Sequence, residues 1–227
     1  MEIARRLTEI KQRICQAARS AGREPGEIRL LAVSKTVQPG ILEEAYEAGQ
    51  RDFAENRVQE WLTKAAALPA DCRWHIIGRL QTNKVKYLDQ RVTLIHSLDR
   101  LELLQKLQEH GVRRDQIWSA LLQINIARDR AKTGLLREET ADFLKETVAY
   151  PHVRIQGLMT IGSFEADRQE TREFFRELRS LRDDLVKEFS GRITLPELSM
   201  GMSRDFEIAI EEGATMVRVG REIFGER

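Results

Sequence analysis

Apolar positions recur with two different periods along the chain, and the two alternate. At the N-terminus Ile3, Leu7, Ile10, Ile14, Ala17 and Ala21 fall every three or four residues, which lines one face of a helix, and Gly22 is the residue type that ends one. Beyond it, short β-branched or wholly apolar runs alternate with longer amphipathic segments. The short runs predict strands over 29–34, 52–54, 74–77, 93–97, 120–126, 154–161, 197–200 and 216–219. The intervening pattern predicts helices over 40–48, stopping at Gly49, over 98–110, stopping at Gly111, and over 205–212, stopping at Gly213. Residues 167–190 read as a long, charged, amphipathic helix.

Eight strand candidates separated by helical ones are what a parallel (β/α)8 barrel of the TIM type requires. The fold class is therefore α/β, a single barrel with an additional N-terminal helix. An open doubly wound sheet is the rival, but it usually carries a glycine-rich first turn, and the residues after the first strand read SKTVQPG. No linker rich in Pro, Gly or Ser divides the chain, so residues 1–227 are expected to form one domain.

Composition narrows the function classes. The 37 Lys and Arg against 36 Asp and Glu give a net charge of +1, so the totals call for neither nucleic acid nor an anionic membrane as partner, and any anion binding must be local. Cys15 and Cys72 form neither a disulfide framework nor a metal-ligand spacing, which suits a reducing, cytoplasmic location. His75, His96, His110 and His152 are scattered without an i, i+4 pair, so no metal is expected. No apolar run reaches the roughly 18 residues of a membrane span. The first segment is Arg-rich like a transit peptide, yet Glu2, Glu9 and its helical period mark it as a packing helix.

In a barrel the chemistry lies just beyond the C-terminal ends of the strands. Those positions are Lys35, Glu55 and Asn56, 78–83, Asp99, 128–132, 159–162, 199–203 and Gly220. Barrels frequently bind phosphate with the loops after strands seven and eight, here SMGMS and RVGREIFG. Gly201 and Gly220 allow backbone N–H groups close to an anion, and Ser203 can cap the following helix or donate its hydroxyl. The bland alternative is a tight turn and a simple cap. A phosphate cradle facing a lysine on strand one suits a phosphorylated carbonyl compound, because a desolvated lysine loses its proton and attacks a carbonyl. Both a sugar-phosphate aldolase and a protein holding pyridoxal 5'-phosphate satisfy this. Arg218, inside the apolar run MVRVG, must either pair with a carboxylate such as Glu55 or reach the barrel mouth and face the pyridine nitrogen of that cofactor.

The segments LLAVSKT, FAENRVQE, WHIIGRLQTNK, INIARDRAKTG, IQGLMTIG and LSMGMSRDFEIAIEEGATMVRVGREIFG together resemble the YggS/PROSC family of pyridoxal phosphate homeostasis proteins, over nearly the whole chain. The resemblance implies a barrel like the N-terminal domain of alanine racemase. It implies that Lys35 forms the internal aldimine, that Ser203 and Gly220 hold the phosphate, and that Arg218 stands near the pyridine nitrogen. Asn56 and Met159 match positions lining the pocket. Where family members often have threonine after VRVG this chain has Arg221, so a hydroxyl contact to phosphate is replaced by a guanidinium able to make a charge-assisted bond. Arg79 and Ala54 are further departures.

A racemase using this cofactor needs a second acid/base group opposite the lysine. Of the three tyrosines, Tyr46 and Tyr87 fall in helical segments and Tyr150 precedes Pro151, so none ends a strand; Lys132 and Lys84 are the remaining candidates. The resemblance implies a monomeric cofactor carrier or buffer in vitamin B6 and amino-acid homeostasis, with apo-enzymes that need pyridoxal phosphate as recipients and without catalytic activity of its own. A racemase-like enzyme of the same fold is the alternative.

Overall fold

Each predicted strand is a strand, and together they close on themselves. The computed structural model describes residues 2–129, 131–162, 165–190 and 192–225. The strands are β1 (Arg29–Val33), β2 (Asp52–Glu55), β3 (Arg73–Ile76), β4 (Val92–Leu98), β5 (Trp118–Gln123), β6 (Val153–Met159), β7 (Glu197–Met202) and β8 (Met216–Val219). They run parallel in sequence order, and β1 pairs with β8 through Arg29 with Met216 and Ala32 with Val219 to complete the barrel. A closed parallel barrel has no free sheet edge and buries its strands on both faces, which is why these segments read as continuous apolar runs.

Helices α1 (Glu2–Ser20), α2 (Pro39–Glu47), α3 (Val58–Ala67), α4 (Leu101–Arg114), α5 (Thr140–Glu146), α6 (Arg168–Glu188), α7 (Phe206–Glu211) and α8 (Arg221–Phe224) surround it. The predicted stripe of α1 is buried from Ile3 to Ala17, while Ala21 lies past the end of the helix and is half-buried; the helix packs on α7 and α8, where Arg13 bridges Glu207 and Glu222. Asp167 caps α6, accepting from the Gln169 and Glu170 amides at 2.7 and 2.9 Å.

Two helix ends differ from expectation. Gly111 does not stop α4, which continues to Arg114 and ends on Asp115 in the left-handed region (φ 51°). A Cβ at Gly111 would lie 2.6 Å from His152 Cβ and 2.7 Å from the Gln116 carbonyl oxygen, so the glycine serves close packing rather than termination. Ser203 caps no helix: α7 begins at Phe206, and the Met202 amide donates to Asp205 Oδ1 at 2.5 Å.

The core has two parts. The larger lies between barrel and helices and contains Phe53, Trp61, Trp74 and Trp118. The smaller fills the barrel itself with Leu31, Val33, Ala54, Leu94, Leu121, Met159 and Met216. Successive strand residues point alternately outward to one and inward to the other.

Candidate functional site

The strand ends surround a cavity of about 1010 Å³ at the C-terminal mouth of the barrel. Lys35, Asn56, Ser203, Arg218, Gly220 and Arg221 all line it, so the lysine of the first strand and the two expected anion-binding loops face one space. Met159 does not. It is fully buried in the apolar layer inside the barrel, because β6 carries its inward residue at 159 below the mouth and the lining there is Ile161. Arg79, Arg168 and Arg204 join Arg221 around the opening, with Asp167 and Asp205 as the acidic groups.

Lys35 follows an apolar strand but is itself exposed, which corrects the expectation of dry surroundings. What holds it is the backbone on either side. Thr36 has φ 63°, a left-handed conformation that is unfavourable for a β-branched residue and persists only when neighbours enforce it. Its amide donates to Glu60 Oε2 at 2.8 Å, and its hydroxyl donates to the Lys35 carbonyl at 2.6 Å. On the other side Ser34 Oγ donates to Glu55 Oε1 at 2.6 Å, and Lys64 Nζ donates to the Ser34 carbonyl at 2.7 Å and to Glu55 Oε1 at 2.6 Å. Lys64 also reaches Glu60 Oε2 at 3.4 Å, so one buried ammonium ties together both flanks of Lys35. Glu55 is fully buried, and its Oε2 has no hydrogen-bond partner among the described residues; burial raises its carboxyl despite Lys64 and Ser34.

Arg218 is buried and does not pair with Glu55, which is already taken by Lys64. Its guanidinium donates to Ser199 Oγ at 2.7 Å and to the Thr160 carbonyl at 2.8 Å. Burial lowers it to about 10, opposed by the Asp205 carboxylate, so it stays a cation at neutral pH. The remaining face of this planar group is turned to the cavity.

Gly201 lets the loop after β7 lie down on α7: it has φ 88°, and a Cβ there would lie 2.5 Å from Ala209 Cβ and 3.0 Å from Phe206 Cα. That approach, rather than contact with an anion, is what it provides, and it sets Ser203 at the cavity wall.

Sequence reasoning missed the histidines. His75 and His96 are fully buried inside the barrel, joined Nδ1 to Nε2 at 3.1 Å; His75 Nε2 lies 3.2 Å from Asp52 Oδ1, and His96 Nδ1 lies 2.9 Å from Ser199 Oγ. Their signal was a polar residue at an inward position of an otherwise apolar strand, the same signal that singled out Arg218.

No tyrosine lines the cavity: the Tyr46 hydroxyl donates to Asp71, Tyr87 is exposed, and Tyr150 follows α5 on the outside. Lys84 and Lys132 are also absent from the lining, and Lys132 Nζ donates to the Gly162 carbonyl at 3.1 Å. Of the strand-five loop 128–132, Arg130 lies outside the described residues. Among the described residues no cluster of His, Cys, Asp or Glu could hold a metal, and no helix is long and apolar enough to cross a membrane.

Residues 6–227 match the family model described as alanine racemase, N-terminal domain. The chain is 45% identical over 228 residues to the pyridoxal phosphate homeostasis protein of Aquifex aeolicus (strain VF5), covering 100% of this chain and 99% of that one. It is 40% identical to the protein of that name from Pseudomonas aeruginosa, covering 99% and 96%. PipY of Synechococcus elongatus PCC7942, solved with PLP bound, superposes with a TM-score of 0.86 at 35% identity, over 98% of this chain and 100% of PipY. The alanine racemase of Corynebacterium glutamicum shares the fold, with a TM-score of 0.73 at 16% identity over 100% of this chain and 61% of the racemase. The chain thus belongs to the alanine racemase N-terminal domain family and, within it, to the pyridoxal phosphate homeostasis proteins.

Proposed function

We propose that this protein binds pyridoxal 5'-phosphate covalently through Lys35 and serves as a carrier or buffer of the cofactor in vitamin B6 and amino-acid homeostasis, handing it to apo-enzymes that require it. The carrying observation is that the Lys35 amine, the Arg218 guanidinium, the Ser203 hydroxyl and the loop at Gly220 and Arg221 line one cavity. The donor set fits the cofactor. When bound, the group supplies an aldehyde that condenses with an amine and a phosphate that needs fixed donors.

In this assignment Ser203 and the loop at Gly220 take the phosphate, and Arg221 adds a charge-assisted contact where relatives offer a hydroxyl. Arg218 presents a fixed cation to the pyridine nitrogen. A cation there disfavours protonation of that nitrogen and so weakens the ring as an electron sink. Asn56 borders the ring, and Met159 supports the site from below. The residues 1–227 act as one domain, as a monomer in the cytoplasm.

Holding without turnover is favoured because none of the tyrosines, nor Lys84 or Lys132, lines the cavity opposite Lys35. The test is direct. Protein mixed with pyridoxal phosphate should become yellow, and borohydride should fix the label on Lys35, as read by peptide mass. Ser203→Ala and Arg218→Ala should each weaken equilibrium binding by about tenfold while the protein stays folded. A colourless protein removes the cofactor reading; racemisation or transamination abolished by Lys35→Ala removes the carrier reading in favour of a racemase-like enzyme.

A further inference from the structure

The polar groups inside the barrel form one unbroken line from its closed end to its mouth. Asp52 starts β2 at the N-terminal end, where it pairs with Arg73 at 2.5 Å and with His75 at 3.2 Å. From His75 the line passes to His96 at 3.1 Å, to Ser199 at 2.9 Å, and from Ser199 to Arg218 at 2.7 Å, which faces the cavity. Four strands besides β2 contribute to it: β3, β4, β7 and β8. On the other strands Leu31, Val33, Leu121 and Met159 make the inward layer apolar, and the buried inward Gln123 at the mouth donates to the Thr133 carbonyl rather than joining the line.

Its Asp52 end fixes its direction, and its Arg218 end agrees with it. Arg218 can only donate, so Ser199 Oγ accepts from it and has its single hydrogen left for His96 Nδ1. An ionised Asp52 can only accept, so His75 must donate from Nε2 and accept at Nδ1. His96 then accepts at Nδ1 and donates from Nε2 to His75 Nδ1. With both rings neutral, the Asp52 end requires each to carry its hydrogen on Nε2, and the Arg218 end is satisfied by the same arrangement, in which every bond points away from the cavity. The charges agree. Burial would raise Asp52, yet Arg73 and His75 outweigh it and hold it at about 2; burial keeps His75 neutral against Asp52, and His96 lies well below its usual range through burial and through His75, Arg218 and Arg29.

We infer that this one-directional chain fixes the Arg218 guanidinium toward the cofactor ring, which makes Asp52, His75, His96 and Ser199 positioning residues for a site that Asp52 does not touch. Among the described residues no carboxylate is hydrogen-bonded to Arg218, and its acceptors are the Thr160 carbonyl and the Ser199 hydroxyl. If the chain were reversed, Ser199 Oγ would have to accept from both His96 and Arg218, and its hydrogen would lose the histidine as acceptor. The ionised Asp52 prevents that reversal from the opposite end of the barrel. The ring-facing role rests on the cofactor reading above; the direction of the chain does not.

The experiment therefore has two arms. Long-range ¹⁵N–¹H correlation spectra of the protein prepared without cofactor should show His75 and His96 both as Nε2–H tautomers. Asp52→Asn is nearly isosteric but can donate as well as accept, so it should give mixed or reversed tautomers. It should also weaken pyridoxal phosphate binding by several-fold and shift the absorbance of the bound cofactor. Ser199→Ala removes the acceptor itself and should weaken binding by about tenfold. An Nδ1–H tautomer at either histidine of the parent protein overturns the directed chain. Parent-like affinity and absorbance in both Asp52→Asn and Ser199→Ala overturn the positioning role. A parent protein that takes up no pyridoxal phosphate overturns the cofactor reading and the ring-facing role with it, while the tautomer spectra still decide the direction of the chain.

Discussion

Replacing Lys64 by Met should destabilise this protein more than almost any other lysine substitution, because Lys64 is buried and its partner has nowhere else to turn. The Lys64 side chain is 5% exposed and that of Glu55 is 0% exposed, with Nζ and Oε1 2.6 Å apart. At that separation an effective dielectric of about 20 gives an attraction of about 6 kcal/mol, set against a desolvation cost of several kcal/mol for each ion. The net worth of the intact pair is therefore small, and the cost of breaking it is not. Without Lys64, Glu55 keeps only Ser34 as a partner, its Oε2 being already unpartnered, and the Ser34 carbonyl is left with the Val37 amide alone. Removing one member of such a pair typically costs about 3–5 kcal/mol. In a chain of this size 1 kcal/mol moves the melting midpoint by about 2–4 °C, so Lys64→Met should lower it by roughly 6–20 °C. Adding Glu55→Gln should restore at least half of the loss, since the carboxylate that was left charged and buried is then neutral. Thermal unfolding followed by circular dichroism measures both. A single variant melting within about 2 °C of the parent, or a double variant no more stable than the single, refutes the account of a buried pair that must be removed together.

Three further expectations follow from the geometry. Gly111→Ala should destabilise by about 1–3 kcal/mol in urea titration although alanine is the better helix former, because its Cβ would enter the contact with His152 and Gln116; a gain in stability would refute that contact. Acidification should cost stability in two stages: His75 and His96 lie below their ordinary 6.5, so stability present above about pH 6.5 is lost as the pH falls below it, and Asp52, at about 2 against 3.8, contributes about 2 kcal/mol that is lost as the pH falls from about 4 through 2. Glu55, raised above 4.5, opposes the trend in its own range, and a stability flat between about pH 7 and 5 would contradict two buried neutral rings. Thiol titration with a disulfide reagent should find Cys15 reacting fast and Cys72 slowly, since Cys72 is buried and its thiol is pushed up to about 11 by burial and by Asp71; two equally fast thiols would refute its placement.

The strands were legible because closing the barrel buries them on both faces, so each shows as a short apolar run even where, as in β2, it is only four residues long. Helix α3 was not legible for a specific reason. Its buried face carries Lys64 beside Trp61 and Ala65, and a lysine breaks the apolar stripe by which a helix is recognised. Only Glu55 across the gap explains why a lysine belongs there, and that pairing is invisible in one dimension. The short α5 spans too few turns to establish a period. At the site, counting outward from strand ends picked the lysine, the serine and the glycine that line one cavity, whereas Arg218 was picked by its charge inside an apolar run and Arg221 by the resemblance. The same counting misplaced Met159 because the inward layer of β6 falls one step lower than the run of apolar residues suggests. The histidines illustrate the same limit from the other side: an inward polar residue can be read from a strand's alternation, but which four other strands it joins depends on the closure of the barrel.

The strained backbone at Thr36 carries a consequence for engineering. A screen that rewards heat resistance alone should favour Asn at this position, which tolerates the left-handed region better than a β-branched residue does. A screen that rewards grip on the lysine should keep threonine, whose hydroxyl closes on the Lys35 carbonyl and whose stiffness fixes the turn. Survival on heating and fidelity of the lysine's placement thus pull one residue in opposite directions, and variants improved for the first are where loosened cargo should be sought.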